Sequence, residues 1–479
     1  MKNPSRREIL YYASSLITAA TAKAQTPVSP IMTKLSTFMS AAAAAPLPAE
    51  VVEKTKEMIL DTLAAMISGS ELPPGRFAIN FARAYKGDRV ATVAASNVLC
   101  GPIEAALANG MLAHSDETDD THPPSMSHPG CSTIPAALAA GERFNIGGRQ
   151  FLRAVTLGYD IGTRITATLG GLQYMSDSHR STHSISGTFC SAAAAGCAAS
   201  LNAQQMRWLL SYTAQQASGT AAWQRDTDHI EKAFDFAGMP ARNGVTAALL
   251  VQAGGTGVGD IFSGADNFFE AFMPKNDPAM VTDKLGERYE ITRTNIKKWT
   301  VGSPIQAPLD ALEILLKRYK LQPDQVKQIV VRVATNEAKV VDNREIPDIC
   351  LQHMIAVMLV DKTASFKSAH DVARMKDPEI LRHRAKVQLV RDEDLEKLIP
   401  RRVGIVEVIL NDGMRYMERV DNVRGTLENP MPRDEVIAKA RDLITPVLGV
   451  AKSAKLIDKV FDIENAKSVL ELRPLLQKA

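Results

Sequence analysis

The stretch GTFCSAAAAGCAASL, residues 187–201, constrains the fold more than any other part of this chain. Alanine is the strongest helix former, so the stretch predicts a helix, and its small side chains let neighbouring helices approach closely. Aromatic residues make up only 5% of the chain, whereas strands are enriched in aromatic and β-branched side chains. The composition therefore favours close-packed helices over an all-strand sandwich.

Helical periodicity extends over the first half of the chain. In LPAEVVEKTKEMILDTLAAMISG, residues 47–69, apolar side chains recur on one helical face, and Gly69 ends the pattern. That face comprises Val52, Ile59, Leu63 and Met66. Further helices are predicted over residues 103–112, 133–142 and 149–168. The chain from residue 30 to residue 275 therefore has the pattern of an all-helical domain.

The pattern changes in the second half. VKQIVVRVAT, residues 326–335, alternates apolar and polar side chains as a strand does. RVGIVEVILNDGMRYMERVD, residues 402–421, predicts two strands joined by a turn at Asn411-Asp412-Gly413. Helices are predicted over residues 305–320 and 351–372, and again after Pro432.

These patterns predict a mostly α protein with an α+β second domain. The large all-helical domain is expected to span residues 27–290, and a smaller α+β domain, which we call the lid, residues 291–428. Residues 429–479 are predicted to form C-terminal helices that return to the helical domain. A length of 479 residues is sufficient for two or three domains.

The first 26 residues have the pattern of an export signal. Arg6 and Arg7 precede a weakly apolar run, and Ala22-Lys23-Ala24 resembles a cleavage site, as in twin-arginine signals. The alternative is a basic amphipathic helix. Residues 1–24 carry a net charge of +3, which equals the formal charge of the whole chain. The exported protein would be nearly neutral, so nothing indicates a nucleic-acid partner or an acidic membrane. The expected location is the periplasm.

The cysteines argue against several kinds of cofactor site. There are five, and no two of them form a CxxC motif. A disulfide framework, a zinc ribbon and an iron–sulfur cluster all require a spacing that is absent here. Cys190 and Cys197 lie in the alanine-rich stretch, where small buried side chains are the simplest interpretation.

HSDETDDTHPPSMSHPG, residues 114–130, places three of the nine histidines among four carboxylates. Three interpretations compete: a metal site, a proton-transfer site, and a polar loop without chemistry. His114 and His122 could bind a metal together with Asp119, but no HExxH motif is present. A carboxylate beside a histidine raises the basicity of the imidazole and fixes its tautomer. We therefore favour proton transfer, without a metal.

The three histidines are expected to differ. His128 precedes Pro129, which restricts its backbone to extended conformations and favours one fixed orientation, so it is the predicted general base or acid. Asp120 and Glu117 are predicted to orient it. His114 follows a helix and is predicted to be structural. His122 is predicted to pair with the adjacent aspartates, which would keep it charged and a poor base.

Other cationic side chains occur near glycines and prolines. His183 comes just before the alanine-rich helix, close to His179, and is a candidate second proton-transfer group. Lys232 and Lys297 are unremarkable by themselves. Together with Arg242 they could bind a substrate that carries several carboxylates.

Five segments, in this order, resemble the MmgE/PrpD family, which includes dehydratases, decarboxylases and epimerases. They are H…DDTH…HPG…PAALAAGE (114–142), HSISGTFCSAAAAG (183–196), GMPARNGVTAALL (238–250), LGERYEI with IKKWTVGSPIQAPLDA (285–311), and LENPM (427–431). The resemblance covers nearly everything after the export signal. It implies a helical domain with a lid, a homodimer, and a cofactor-free active site at the domain junction. It also implies that His128, His183, Lys232 and Lys297 are catalytic or substrate-binding.

This chain departs from the family pattern at three places. Glu117 stands where the family usually has aspartate, which lengthens the reach of the carboxylate by one methylene. The spacing from Lys232 to Gly238 is one residue longer than usual. The decarboxylase branch has a tyrosine where this chain offers Val340 or Val341, which argues against decarboxylation of cis-aconitate.

The resemblance thus implies a cofactor-independent lyase acting on a small di- or tricarboxylate, of the hydro-lyase type and similar to 2-methylcitrate dehydratase. Removal of water β to a carboxylate requires a base, an acid, and cations that stabilise the enolate. An isomerase or epimerase of the same family is the first alternative, because it needs the base but no leaving group. A periplasmic carboxylate-binding protein without turnover is the second.

Overall fold

The structure is a computed structural model, and it describes residues 27–272 and 277–478. The predicted export signal, residues 1–26, lies outside the described residues. Among the described helices, none is both long enough and apolar enough to cross a membrane.

Twelve α-helices and a short two-stranded ladder form the helical region of the described residues 27–272. Their buried side chains contribute most of the larger of two hydrophobic cores, which we call the first core. The helices are α1 Pro30–Ala41, α2 Ala49–Gly69, α3 Pro73–Ala84, α4 Pro102–Ala113, α5 Gly130–Phe144, α6 Gly148–Leu169, α7 Gly171–Ser178, α8 Thr182–Ala198, α9 Ala203–Gln216, α10 Ile230–Ala233, α11 Met239–Gln252 and α12 Phe268–Phe272. The ladder joins β1 Ala91–Thr92 to β2 Leu99–Cys100. This confirms the predicted helical character of the region.

Helix α8, the alanine-rich helix, is at the centre of this core, and every one of its residues is buried. It begins at Thr182, earlier than predicted, because the Ser181 side chain accepts a hydrogen bond from the backbone N–H of Ser184. Neighbouring helices approach it through glycine. A Cβ at Gly162 of α6 would lie 2.3 Å from Sγ of Cys190, so no larger residue fits there. The small side chains therefore set the close helix spacing, as the sequence predicts.

The lid has its own core around a four-stranded sheet. Its elements are α13 Ser303–Tyr319, β3 Val326–Ala334, α14 Thr335–Val341, α15 Leu351–Asp361, α16 Phe366–Ala369, α17 Pro378–Arg384, β4 Val387–Asp392, α18 Glu393–Glu396, β5 Gly404–Leu410 and β6 Arg415–Val420. The strand order is β4-β3-β5-β6; β3 and β4 are parallel and the other pairs are antiparallel. The predicted hairpin of β5 and β6 is confirmed.

Two sequence predictions for the lid are wrong. The helix predicted over 351–372 ends at Asp361, because Lys362 adopts a left-handed conformation with φ 62 and terminates it. Strand β4 was not predicted at all. It is an edge strand with a largely half-exposed burial pattern, so its apolar signal is weak.

The chain after the lid forms α19 Arg433–Leu448, α20 Val450–Phe461 and α21 Arg473–Leu476. Val436, Ala440 and Leu443 of α19 belong to the first core, not to the lid core. The C-terminal helices therefore pack against the helical region, and α19 brings polar side chains to the junction with the lid.

Candidate active site

Residues 114–130 form a buried connection between α4 and α5. His114 caps the C-terminal end of α4, as the sequence predicts, and Gly130 begins α5. The connection is fixed at its middle, where Thr121 pairs with Asn295 through two backbone hydrogen bonds. These contacts hold the polar side chains of the segment in defined directions at the junction with the lid.

Asp119 is the centre of the polar cluster. Its Oδ1 lies 3.1 Å from Nδ1 of His128, and its Oδ2 lies 2.9 Å from Nδ1 of His114. Nζ of Lys297 is 3.6 Å from Oδ1 of the same carboxylate. A carboxylate can only accept, so His128 donates from Nδ1 and its Nε2 carries the free lone pair. This fixed tautomer is the one required of a general base.

The prediction that Asp120 and Glu117 orient His128 is wrong. Asp120 faces the opposite side, where its carboxylate accepts hydrogen bonds from Tyr159 Oη at 2.5 Å and from the N–H of Gly130 at 3.1 Å. Glu117 pairs with lysines rather than with a histidine. Asp119, which the sequence suggested as a metal ligand or as a partner of His122, makes the contact with His128.

The predicted pairing of His122 with the adjacent aspartates is also wrong. Nδ1 of His122 lies 2.8 Å from Oγ of Ser125, and Nε2 lies 3.3 Å from a carboxylate oxygen of Glu290. Burial lowers the pKa of His122 despite the Glu290 carboxylate. His122 therefore belongs to a structural network behind the cluster.

Glu117 lies between the two predicted substrate-binding lysines. Nζ of Lys232 forms an ion pair with Oε1 of Glu117. Nζ of Lys297 lies 3.8 Å from Oε2 and donates to the Glu117 carbonyl oxygen at 2.7 Å. The structure thus brings both lysines to one carboxylate at the edge of the histidine cluster. An anionic ligand would find two ammonium groups there.

Aromatic rings form one wall of the cluster. Phe236 stacks on His183 with ring centroids 3.7 Å apart and on His114 at 4.5 Å. The His183 ring is 5.1 Å from the His128 ring, and Trp223 meets His183 edge-on at 5.5 Å. The predicted second proton-transfer histidine is therefore adjacent to the first.

A π-helix, Phe234–Gly238, explains the unusual spacing after Lys232. A π-turn accommodates one more residue than an α-turn, and such bulges occur at functional sites. The extra residue noted between Lys232 and Gly238 is absorbed there. The π-helix also carries Phe236, the aromatic ring that contacts two of the histidines.

The charge states in the cluster follow from burial and from its neighbours. Burial lowers the pKa of His128 to about 4 and that of His229 to about 3, and it holds the pKa of His183 well below its usual range. Burial alone would raise the pKa values of Asp119 and Glu117. The lysines and histidines beside these carboxylates overcome that effect and hold both values well below the usual range. Neutral imidazoles therefore lie beside ionised carboxylates and lysines at neutral pH.

Two predicted positions lie away from the cluster. The guanidinium of Arg242 bonds to the side chain of Asn243 and lies 5.9 Å from the Phe234 ring, and none of its described contacts is with the cluster. Val340 is 52% exposed and Val341 is buried in the lid core. Neither valine provides a side chain to the histidines, so this position does not help to distinguish the reaction.

Two groups among the described residues have the spacing of metal ligands: His114 with Asp119 and His128, and His114 with Glu117 and His229. In both groups the carboxylate has a lysine partner, Lys297 for Asp119 and Lys232 for Glu117. An ammonium group competes with a divalent cation for the carboxylate oxygens. The arrangement favours an organic anion over a metal ion.

Sequence reasoning missed three residues near the cluster. His229 lies 5.2 Å from His114, ring to ring, and its position three residues before Lys232 was the available signal. Asp348 and His370 reach the junction from the lid, where Nε2 of His370 is 2.9 Å from Oδ2 of Asp116. No local pattern links these lid residues to the 114–130 segment.

The comparison with known families agrees with the fold and with the resemblance seen in the sequence. The N-terminal domain of the MmgE/PrpD family matches residues 33–281, and the C-terminal domain of that family matches residues 299–463. The chain belongs to the MmgE/PrpD family. The resemblance inferred from the five sequence segments is confirmed.

Several relatives are named as decarboxylases. A cis-aconitate decarboxylase-like protein, oryM, of Aspergillus oryzae is 23% identical over 94% of this chain and 98% of its own length. The cis-aconitate decarboxylase of Aspergillus terreus is 23% identical over 90% of this chain and 92% of its own. The human cis-aconitate decarboxylase is 25% identical over 89% of this chain and 90% of its own length. The valine argument against the decarboxylase branch gains no support from these relatives.

Proposed function

We propose that this protein is a cofactor-independent lyase that acts on a small di- or tricarboxylate by proton transfer. The observation that carries the proposal is the contact of His128 Nδ1 with Asp119 beside two lysines. It leaves a neutral imidazole nitrogen free to accept a proton, next to ammonium groups that attract carboxylates. Membership of the MmgE/PrpD family and the names of the relatives support the same class.

Decarboxylation is the first reaction to test, because the relatives are cis-aconitate decarboxylases. In that reaction a carbon–carbon bond breaks, CO₂ leaves, and its electron pair stays on the carbon skeleton in conjugation with a remaining carboxylate. Lys232 and Lys297 would bind the remaining carboxylates and stabilise the developing negative charge. A proton from water, relayed by the neutral imidazole of His128 or His183, would then be delivered to carbon, so that hydrogen replaces the lost carboxylate.

Dehydration is the second candidate, and the pair of neighbouring histidines supports it. His128 Nε2 would remove a proton from the carbon next to a carboxylate. The imidazolium formed on His128 would then pass this proton to the hydroxyl group on the adjacent carbon, directly or through His183, whose ring lies 5.1 Å from that of His128. The products are water and an unsaturated carboxylate, so atoms and charges balance.

A single assay in heavy water distinguishes these reactions. The purified protein is incubated with cis-aconitate, citrate and 2-methylcitrate in the presence of a metal chelator, and products are followed by proton NMR and CO₂ release. CO₂ release indicates a decarboxylase. A new unsaturated acid that forms without CO₂ release indicates a dehydratase. Deuterium uptake without either product indicates an epimerase. Binding without any of these changes would contradict the proposed lyase, and loss of activity on metal removal would contradict cofactor independence.

We also propose export by the twin-arginine route and a homodimeric protein, both from the sequence pattern and the resemblance. Arg6→Lys combined with Arg7→Lys should leave the protein uncleaved in the cytoplasm, measured by cell fractionation. If the double variant still reaches the periplasm, residues 1–26 are not such a signal. Light scattering on the purified protein measures the oligomeric state, and a monomer would contradict the dimer.

A further inference from the structure

The loop of residues 116–119, which we call the site loop, is held by buried cations from distant parts of the chain. Nζ of Lys297 donates to the carbonyl oxygen of Glu117 at 2.7 Å. Nζ of Lys439, on α19, donates to the carbonyl oxygen of Thr118 at 3.0 Å. A third cation reaches the loop from the lid. The loop therefore depends on segments that are not its neighbours in sequence.

The cation from the lid is His370, which follows α16. Its Nδ1 lies 2.8 Å from the carbonyl oxygen of Phe366. Its Nε2 lies 2.9 Å from Oδ2 of Asp116 and 3.8 Å from Oδ2 of Asp348. Because one nitrogen faces a carbonyl and the other faces carboxylates, both must carry a proton, and the ring is a cation.

The titration behaviour of the group agrees with this geometry. Burial opposes charge on His370, but Asp116 and then Asp348 raise its pKa to about 9. His370 in turn lowers the pKa of Asp116 against the effect of burial. Burial raises the pKa of Asp348 to about 7, an effect that His370 and Lys232 oppose and Glu117 reinforces. Asp116 and Asp348 are the carboxylates that lie against the His370 ring.

Asp116 transmits this contact to the rest of the site loop. Its carboxylate accepts hydrogen bonds from the backbone N–H of Thr118 at 2.9 Å and from the Thr118 hydroxyl at 2.6 Å. This closes a turn around Glu117 and directs the chain into Asp119. A carboxylate held from the lid thus sets the conformation of the residues that contact Lys232 and His128.

We propose that His370 is a positioning residue, which couples docking of the lid to the conformation of the site loop through its ion pair with Asp116. When the lid is docked, the loop presents Glu117 and Asp119 as observed. When His370 is withdrawn, Asp116 becomes a buried carboxylate without its cationic partner, and the loop loses the contact that fixes its turn.

Hydrogen–deuterium exchange at pH 7, read by mass spectrometry on peptides covering residues 114–122, measures the coupling directly. His370→Gln removes the charge and keeps a similar volume. We expect exchange in this segment to rise at least about tenfold, because an ion pair at a buried site is lost and Asp116 is left without its cationic partner. Exchange in strand β3 should stay unchanged. Asp116→Asn should give the same increase, and the double variant no further increase.

His383→Gln is the matched control, because His383 is also a buried histidine of the lid but its hydrogen bond is to Arg382, within the lid. It should leave exchange in the site loop unchanged. His370→Lys keeps a cation next to Asp116 and should restore most of the protection. Should His370→Gln fail to fold, Asp116→Asn tests the same contact from the helical side.

The proposal is overturned if loop exchange in His370→Gln, or in Asp116→Asn where that variant replaces it, equals that of the wild type. It is also overturned if the His383→Gln control raises exchange in the site loop as much as His370→Gln does, or if exchange in β3 rises to the same extent. A His370→Lys variant that restores none of the protection of the site loop would overturn it as well. The proposal rests on the proposed active site, but the readout needs no substrate. Absence of turnover would therefore contradict the proposed function alone, and unchanged exchange would contradict only the role of His370.

Discussion

The segment of residues 114–122 has a first half, residues 114–119, on the side of His128 and a second half, residues 120–122, on the side of Tyr159; both carry histidine and aspartate but have different roles. Asp119, in the first half, contacts His128, His114 and Lys297, and these neighbours hold its pKa well below the usual range against the effect of burial. Asp120, the next residue, contacts Tyr159 and Gly130, and burial together with Asp119 raises its pKa to about 7. The pKa values of two adjacent carboxylates thus shift in opposite directions, because histidines and a lysine surround Asp119, whereas burial and a neighbouring carboxylate prevail at Asp120.

The histidines show the same contrast. His128 lies in the cluster at 9% exposure, and its Nε2 is left free by the contact of Nδ1 with Asp119. His122, which follows Asp120, has both ring nitrogens engaged by Ser125 and Glu290. Residue type and spacing therefore identify the segment, whereas the direction of each side chain determines whether that residue has a chemical or a structural role.

The largest expected effect separates these two histidines. His128→Ala should lower kcat by roughly 10²–10⁴-fold, the range for loss of a general acid or base. His122→Ala, the matched control from the structural half, should reduce thermal stability and change kcat little. Steady-state kinetics and thermal unfolding of both variants provide the measurement. Equal losses of kcat in two folded variants would remove the distinction between the halves.

An intermediate effect is expected for the lysines that contact the first half. Lys297→Met should raise KM for the carboxylate substrate about 10- to 100-fold, since a charged hydrogen bond to the substrate is lost. Lys232→Met should act in the same direction. Arg242→Met is the control, because Arg242 bonds to Asn243 instead of the cluster. A larger effect on KM from the Arg242 change than from Lys297 would indicate a binding site elsewhere.

A smaller effect, on stability alone, is expected for the second half. The pKa of Asp120 is raised to about 7, so the folded protein holds this proton more tightly than the unfolded chain does. The contribution of Asp120 to the free energy of unfolding is therefore greatest at low pH and falls as pH rises from about 4 to about 7. Asp120→Asn should abolish this decrease in the free energy of unfolding, which denaturant titration measures between about pH 4 and about pH 7. An unchanged pH dependence would contradict a buried, partly protonated Asp120.

Much of the fold could be predicted because its signals are local. The small-residue helix needs only its own composition, and the hairpin of β5 and β6 needs only alternation and the turn at Asn411-Asp412-Gly413. Strand β4 pairs in parallel with β3, over a long separation in sequence, and its side chains are largely half-exposed. Its formation depends on tertiary pairing that no local pattern reveals.

The site could be located from the sequence but its contacts could not be assigned. Clustered histidines and carboxylates pointed to the 114–130 segment, and Lys232 and Lys297 do lie at it. The choice between Asp119 and Asp120 depends on which way each side chain points next to the bridged Thr121. Contacts from the lid, such as that of His370, follow only from the packing of the two cores.

Asp119, and not its neighbour Asp120, contacts His128, the proposed proton-transfer histidine. The most direct test is to measure kcat for Asp119→Asn and Asp120→Asn side by side, with folding of both checked by circular dichroism. Asp119→Asn should lower kcat by roughly 10²–10⁴-fold, because the amide no longer fixes the tautomer of His128. Asp120→Asn should keep kcat close to the wild-type value. A large loss in Asp120→Asn with little change in folded Asp119→Asn would contradict the account.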